Sequence, residues 1–150
     1  MRFKAAASIL VLATTAIVPA GKGQSASGNG PELQQRRLAV DLVRAINTAE
    51  MAYRDRSGGS FAGWAGISAS PEFTTAITRS THGDSKYKNV NLASPSEILP
   101  GWALRLTLSE DRKSYAVILI DTADQCSYSL MSDQEGIIRE GRTIGCTNSK

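Results

Sequence analysis

The chain has 150 residues, of which 41% are hydrophobic and 21% are charged. These values are ordinary for a globular protein and exclude both a largely disordered chain and a membrane bundle. The 17 lysine and arginine residues only slightly outnumber the 14 acidic residues, and no basic stripe is interleaved with aromatic residues, so we do not expect nucleic-acid binding.

The N-terminal segment has the three parts of a Sec-type signal peptide. Arg2 and Lys4 supply the positive start, an apolar stretch covers Ala5–Val18, and Val18 and Ala20 place small residues at the cleavage-determining positions. We therefore predict a signal peptide over residues 1–20 and a mature protein that is periplasmic or secreted. No stable membrane span is expected after cleavage. An uncleaved N-terminal anchor is the alternative.

A linker and a long helix follow the leader. Residues 21–30 are rich in Gly, Ser and Asn and lack apolar periodicity, which predicts a flexible linker. From Pro31 onwards, apolar residues recur every three or four positions and predict a long amphipathic helix over Glu32–Asp55. The apolar stripe comprises Leu38, Leu42, Ala45, Ile46, Ala49 and Tyr53. Glu50 and Arg54 are expected to pair on the solvent side of this helix.

The middle of the chain, from Ser60 to Pro100, is the least regular part. Within it, Ser70 is a good N-cap and Pro71 suits the first helical position, so a short helix is predicted to run to about Arg79. One further helical turn is expected at residues 96–99.

After Gly101 the apolar period changes to two, which is typical of strands. Four strands are predicted, over Trp102–Leu108, Tyr115–Asp121, Cys126–Ser132 and Ile137–Cys146. Because the turns between them are short, consecutive strands should pair as an antiparallel meander. The predicted fold class is α+β, with a long N-terminal helix packed on a four-stranded antiparallel β-meander.

Three stretches outside the leader carry a family resemblance. Residues 44–53 contain the run Ile-Asn-Thr-Ala-Glu before an aromatic residue, residues 59–62 read Gly-Ser-Phe-Ala, and residues 132–139 place an acid and a glycine before an apolar pair. These stretches resemble the helix, the following loop and the last hairpin of type IV pilin-like and pseudopilin-like globular domains. The resemblance implies a pilin-like globular domain over residues 31–150.

The order of the N-terminal segments departs from that of a pilin precursor. Such a precursor has a short leader ending in glycine, a nearby glutamate and a long apolar helix, whereas here the polar residues 21–30 follow the apolar stretch. The resemblance therefore implies a pilin-like head that lacks the prepilin stem. It implies a non-enzymatic binding or structural role at the cell envelope or outside the cell, with a protein or a surface polymer as partner.

The two cysteines, Cys126 and Cys146, are expected to form a disulfide, because an exported protein meets an oxidising compartment. They would clamp the last hairpin. If Asp133 faces Ile137 in that hairpin, Cys126 faces Ile144, two residues before Cys146. Two unpaired thiols are the alternative.

Aromatic residues offer a possible partner-binding surface. Phe61 and Trp64 lie in a glycine-rich stretch, and tryptophan is common at interfaces. Tyr87 and Trp102 offer the same two interpretations, and a core position is favoured for Trp102. For Phe61 and Trp64, partner binding and coverage of the end of the helix both stay open.

No catalytic residue, metal site or cofactor is assigned. His82 is the single histidine, and its neighbours Ser80, Asp84 and Ser85 are adjacent only along a polar loop, so a solvated histidine is favoured. The alternative function is a small secreted hydrolase that uses carboxylates of the sheet turns, with Asp121 and Asp124 as candidates. A calcium site formed by the turn acids is disfavoured, because aspartate is common in turns, where its side chain hydrogen-bonds to the nearby backbone. Those turn acids are Glu110, Asp111, Asp121, Asp124, Asp133 and Glu135.

Overall fold

The computed structural model describes residues 30–80, 89–124 and 126–144. The helices are α1 (Pro31–Arg56), α2 (Trp64–Ser68) and α3 (Pro71–Ser80), and the strands are β1 (Trp102–Leu108), β2 (Tyr115–Asp121), β3 (Ser129–Asp133) and β4 (Arg139–Gly141). A 3₁₀ turn at Pro95–Glu97 precedes β1. This arrangement confirms the predicted α+β fold, an N-terminal helix packed on a four-stranded antiparallel sheet.

Helix α1 has 26 residues and sits close to its predicted bounds. Gly30 is the N-cap and Pro31 occupies the first turn, where its missing N–H costs nothing. The helix ends before Gly58 and Gly59, whose φ angles of 69° and 91° lie in the left-handed region that glycine adopts without strain. The termini therefore follow from local sequence chemistry.

Helices α2 and α3 pack beside α1 and extend the layer that covers the sheet. Arg56 at the end of α1 pairs with both carboxylate oxygens of Glu72 in the first turn of α3. Ser70 caps α3, because its Oγ accepts the Phe73 amide N–H at 3.1 Å. Helix α3 confirms the predicted cap and start, whereas the five-residue α2 was not predicted.

The sheet has the strand order β1-β2-β3-β4, and all three pairings are antiparallel. Strands β1 and β2 have the predicted bounds. The predicted third strand, Cys126–Ser132, was wrong at its start, because Ser127 adopts a φ of 49°, outside strand conformation. The predicted fourth strand, Ile137–Cys146, was wrong in extent, since among its described residues, 137–144, only Arg139–Gly141 pairs as a strand.

One hydrophobic core lies between the helices and the inner face of the sheet. The sheet contributes alternate residues, among them Leu104, Val117, Leu119 and Leu130, and α1 contributes its predicted apolar stripe. Trp102 is also in this core, as the strand alternation favoured. In the part of the chain that the structure describes, no helix is both long enough and apolar enough to cross a membrane.

Candidate functional site

A buried polar network joins α1 to the sheet. Asn47 lies on the inner side of the helix with 8% of its surface exposed. Its side-chain amide donates to Ser132 Oγ at 2.8 Å and to the Gly136 carbonyl at 3.3 Å, and its Oδ1 accepts the Tyr115 hydroxyl at 2.9 Å. Burial and the nearby Glu50 carboxyl raise the pKa of Tyr115, so its hydroxyl stays a donor. The network fixes the position of the helix over β2 and the last hairpin.

Glu50 lies one turn further along α1 and has no exposed surface. One carboxylate oxygen accepts the Ala62 amide N–H at 2.9 Å, while the other has no hydrogen-bond partner among the described residues. Burial raises the pKa of Glu50 to about 7, and the Ala62 hydrogen bond opposes this shift. The expectation that Glu50 pairs with Arg54 on the solvent side was therefore wrong, and Arg54 pairs with Asp55 at 3.2 Å.

Both polar positions lie within residues 44–53 of α1. Periodicity alone did not identify Asn47 and Glu50 as interior residues, because their partners lie 12 to 89 residues away along the chain. The signal that was available is their spacing. Asn47 and Glu50 are three residues apart, and each directly follows a residue of the apolar stripe, so both project from the same side of α1, next to that stripe.

The two aromatic candidates for partner binding lie in different environments. Phe61 is buried, with 2% of its surface exposed, and its ring meets Tyr115 edge to face at 4.9 Å. Phe61 is therefore part of the hydrophobic core between the helices and the sheet. Trp64 is half-buried, packs edge to face on Phe73 at 5.5 Å and donates its indole N–H to the Leu92 carbonyl at 3.1 Å. Of the two, only Trp64 presents part of its ring to solvent.

The two carboxylates of the alternative hydrolase lie in the β2–β3 turn. Asp121 accepts the amide N–H groups of Ala123 and Asp124 at 3.0 and 3.1 Å. Asp124 accepts the Cys126 amide N–H at 2.8 Å with one oxygen and contacts Arg36 at 3.4 Å with the other. These bonds shape the turn, as aspartate commonly does.

Two of the remaining turn acids, Asp111 and Asp133, follow the same pattern. Asp111 accepts the Ser109 hydroxyl at 2.6 Å and the Lys113 amide at 3.0 Å, and these bonds hold the pKa of Asp111 below its usual value. Asp133 accepts the Glu135 amide at 2.9 Å and contacts Arg139 at 3.3 Å. Within the described residues, no group of three or more metal-ligating side chains converges.

One groove of about 510 Å³ lies between α1 and the β4 side of the sheet and does contain two carboxylates, Asp41 and Glu140. Asp41 is paired with Arg44 at 3.1 Å. Glu140 accepts a hydrogen bond from Tyr128, which together with burial raises the pKa of Tyr128. Asp121 and Asp124 do not line this groove.

Several sequence candidates fall outside the described residues. These are His82, Asp84, Ser85, Tyr87 and Cys146. Cys126 is buried, and its carbonyl accepts the Thr143 amide N–H at 3.0 Å. The β3–β4 register pairs Ser129 with Gly141, which confirms the register expected for the hairpin and brings the chain just before Cys146 beside Cys126. The disulfide itself stays a prediction.

We call the face of the sheet turned away from the hydrophobic core the outer face. It consists of Ala103, Arg105, Thr107, Ala116, Ile118, Ile120, Ser129, Met131, Asp133, Arg139 and Gly141. In the strand register, Arg105, Ile118, Met131 and Arg139 form one row across all four strands. Met131 keeps 38% of its surface exposed and Ile118 is half-buried, so the row joins two partly exposed apolar side chains with an exposed arginine at each end.

Comparison with known protein families, curated proteins and solved structures gives no match.

Proposed function

We propose that this chain is an exported, non-enzymatic binding module of pilin-like architecture, which acts at the cell envelope or outside the cell. The proposal combines the family resemblance of residues 44–53, 59–62 and 132–139 with the leader pattern of residues 1–20. The observation that carries it is the outer face, where the half-buried Ile118 and Ile120 of the central strand β2 lie beside the exposed Met131 of β3.

An apolar strip on a sheet surface favours binding because covering it removes hydrocarbon from water. A contact over Ile118, Ile120 and Met131 gains roughly 25 cal/mol for each Å² of apolar surface covered. Exposed apolar patches rimmed by polar groups mark protein interaction sites. Arg105 and Arg139 form such a rim, so a protein partner suits this surface better than a neutral surface polymer.

The test is capture of a partner from cell-envelope extract with three immobilised forms of the protein: unaltered, Met131→Gln and Leu92→Gln. Leu92 and Met131 are about equally exposed, at 36% and 38%, so we expect the two substitutions to change the stability of the fold by similar amounts. We expect one specific component to be lost with Met131→Gln and retained with Leu92→Gln. The thermal midpoints of all three forms should agree.

Other results of the same experiment would contradict the proposal. Loss with Leu92→Gln alone would place the partner surface around Trp64, whose indole N–H donates to the Leu92 carbonyl. Equal capture by all three forms would remove the outer face from consideration. A robust hydrolase activity that disappears in Asp121→Asn would favour the alternative function over the binding role.

A further inference from the structure

Glu50 is a buried carboxyl group whose two oxygens are treated differently by the fold. Its side chain has no exposed surface, and Oε2 accepts the Ala62 amide N–H at 2.9 Å. Oε1 has no hydrogen-bond partner among the described residues. Burying an unpaired charge costs far more than burying an unpaired neutral group, so this position suits the protonated form of Glu50 and opposes the ionised form.

Residues 57–63 connect α1 to α2 and contact Glu50 through the Ala62 amide, and we call them the latch loop. Glycines stand near both of its ends, at Gly58–Gly59 and at Gly63, and its first four residues are exposed or half-buried. Surface segments of this kind open locally at a lower cost in free energy than unfolding of the whole domain. An opening of the latch loop would therefore admit water to the Glu50 carboxyl while α1 and the sheet stay folded.

Few polar contacts hold the latch loop closed beside the bond to Glu50. The Phe61 amide N–H donates to the Arg112 carbonyl at 2.8 Å, and Lys113 Nζ donates to the Gly59 carbonyl at 3.2 Å. Helix α1, in contrast, is fixed next to Glu50 by the three hydrogen bonds of Asn47 to the sheet and the last hairpin. The loop is consequently the part that gives way when Glu50 has to be hydrated.

The surroundings of Glu50 supply no positive charge that would offset its ionisation. On α1 itself, Arg54 is paired with Asp55 at 3.2 Å. On β2, the hydroxyl of Tyr115 keeps its proton because burial raises its pKa, and the carboxylate of Asp133 on β3 acts in the same direction. The latch loop and α2 contain no ionisable side chain. Water is therefore the medium in which the charge of Glu50 can be accommodated.

We infer that Glu50 and the latch loop form a pH-sensitive latch: the loop stays closed while Glu50 is protonated, and loss of the proton to solvent favours an open state that hydrates the carboxylate and lifts Phe61 out of the core. The latch uses no residue of the outer face, so it goes beyond the proposed binding function and does not depend on it.

The direction of the pH response follows from the two states of the loop. Burial raises the pKa of Glu50 to about 7 in the closed state, whereas hydration returns it towards its ordinary value of 4.5 in the open state. Opening therefore becomes more favourable as pH rises from 4.5 to 7 and levels off above pH 7. At most it changes about tenfold for each pH unit in this range.

Amide hydrogen exchange of the unaltered protein between pH 4 and pH 8 tests the latch. The amides of Phe61 and Ala62 report opening, because it breaks the hydrogen bonds of both, and the amide of the fully buried Leu119 reports global unfolding. After correction for intrinsic rates, we expect the two loop amides to be less protected than Leu119. Their protection should fall on the order of 100-fold with rising pH. Low concentrations of urea should accelerate exchange at Leu119 only, since a local opening exposes little surface.

Two variants connect this response to Glu50. In Glu50→Gln the side chain cannot ionise, so the protection of Phe61 and Ala62 should not depend on pH. Glu110→Gln, at an exposed turn position, is the matched control and should keep the pH dependence of the unaltered protein. A titration of the Glu50 side-chain carboxyl by NMR in the unaltered protein needs no variant, and its midpoint should lie near pH 7.

Three results would each overturn the latch. The first is exchange of Phe61 and Ala62 at the protection and urea dependence of Leu119, because the loop would then open only when the whole protein unfolds. The second is a pH dependence of loop protection that persists in Glu50→Gln. The third is titration of the Glu50 carboxyl at its ordinary value of 4.5, because the closed loop would then not oppose ionisation.

Discussion

At the scale of single residues, Glu50 links the stability of the fold to pH. Its carboxyl group is fully buried, and burial raises its pKa from 4.5 to about 7. Between these two values the folded protein binds more protons than the unfolded chain, so the free energy of unfolding falls as pH rises. The decrease is complete above pH 7 and amounts to about 3 kcal/mol on the scale of 1.36 kcal/mol per pKa unit.

The first prediction is that Glu50→Gln stabilises the protein at alkaline pH. Glutamine keeps an oxygen for the Ala62 amide N–H but cannot ionise, so the cost of a buried charge disappears. The free energy of unfolding measured in urea should be higher than that of the unaltered protein by up to about 3 kcal/mol at pH 8, and little different at pH 4. Glu110→Gln, at an exposed turn position, is the matched control and should change neither value. Equal destabilisation of Glu50→Gln at both pH values would contradict the explanation.

At the scale of elements, the sequence pattern predicted the bounds of an element best where one face of that element is uniformly apolar. Strands β1 and β2 alternate strictly, and their predicted bounds match the structure. The apolar pattern fails in the predicted fourth strand, because the polar residues 139–141 pair with β3 whereas Ile137, Ile138 and Ile144 do not. Pairing there depends on the neighbouring strand and not on local sequence, which explains why β4 is shorter than predicted.

The candidate surfaces were less predictable than the elements because they depend on register. The alternation of β2 showed that Ile118 and Ile120 lie opposite the core, but it left open whether anything covers them. Only the pairing of Ile118 with both Arg105 and Met131 reveals the mixed apolar and basic row. The interior position of Glu50 likewise depends on Ala62, twelve residues further along the chain.

The second prediction concerns the last hairpin. We expect Cys126 and Cys146 to form a disulfide, because the β3–β4 register and the bond from the Thr143 amide to the Cys126 carbonyl hold the two chain segments side by side. A closed loop of about 20 residues stabilises a protein by roughly 3 kcal/mol in the chain-entropy model. The intact mass measured without reductant should be about 2 Da below the reduced mass, because formation of the S–S bond removes both thiol hydrogens.

The outcome that would contradict the disulfide is rapid alkylation of two thiols in the folded protein without denaturant. Cys126→Ser is the informative variant, because it should expose one reactive thiol at Cys146 and lower the unfolding midpoint. The same change in the presence of reductant should have a much smaller effect on stability, since the crosslink is then absent from both proteins.

At the scale of the whole molecule, the described fold and the predicted leader occupy separate parts of the sequence. The first helix begins at Pro31, ten residues after Gly21, where the predicted linker starts. Cleavage after Ala20 would therefore leave every described element intact. It would also remove two basic residues, Arg2 and Lys4, and bring the chain close to electrical neutrality.

The last prediction is that the protein recovered from the periplasm or the medium lacks residues 1–20. We expect this because a positive start, an apolar stretch and small residues before a cleavage point are the features of a segment that directs export and is then removed. Intact mass should correspond to a chain that begins at Gly21, and the unprocessed form should accumulate when Ala20→Asp places a charge at the cleavage position. Ala16→Gly, a neutral change inside the apolar stretch, is the control and should be processed normally. Full-length protein in the membrane fraction of the unaltered strain would instead support the N-terminal anchor, and the binding surfaces would then operate next to a membrane.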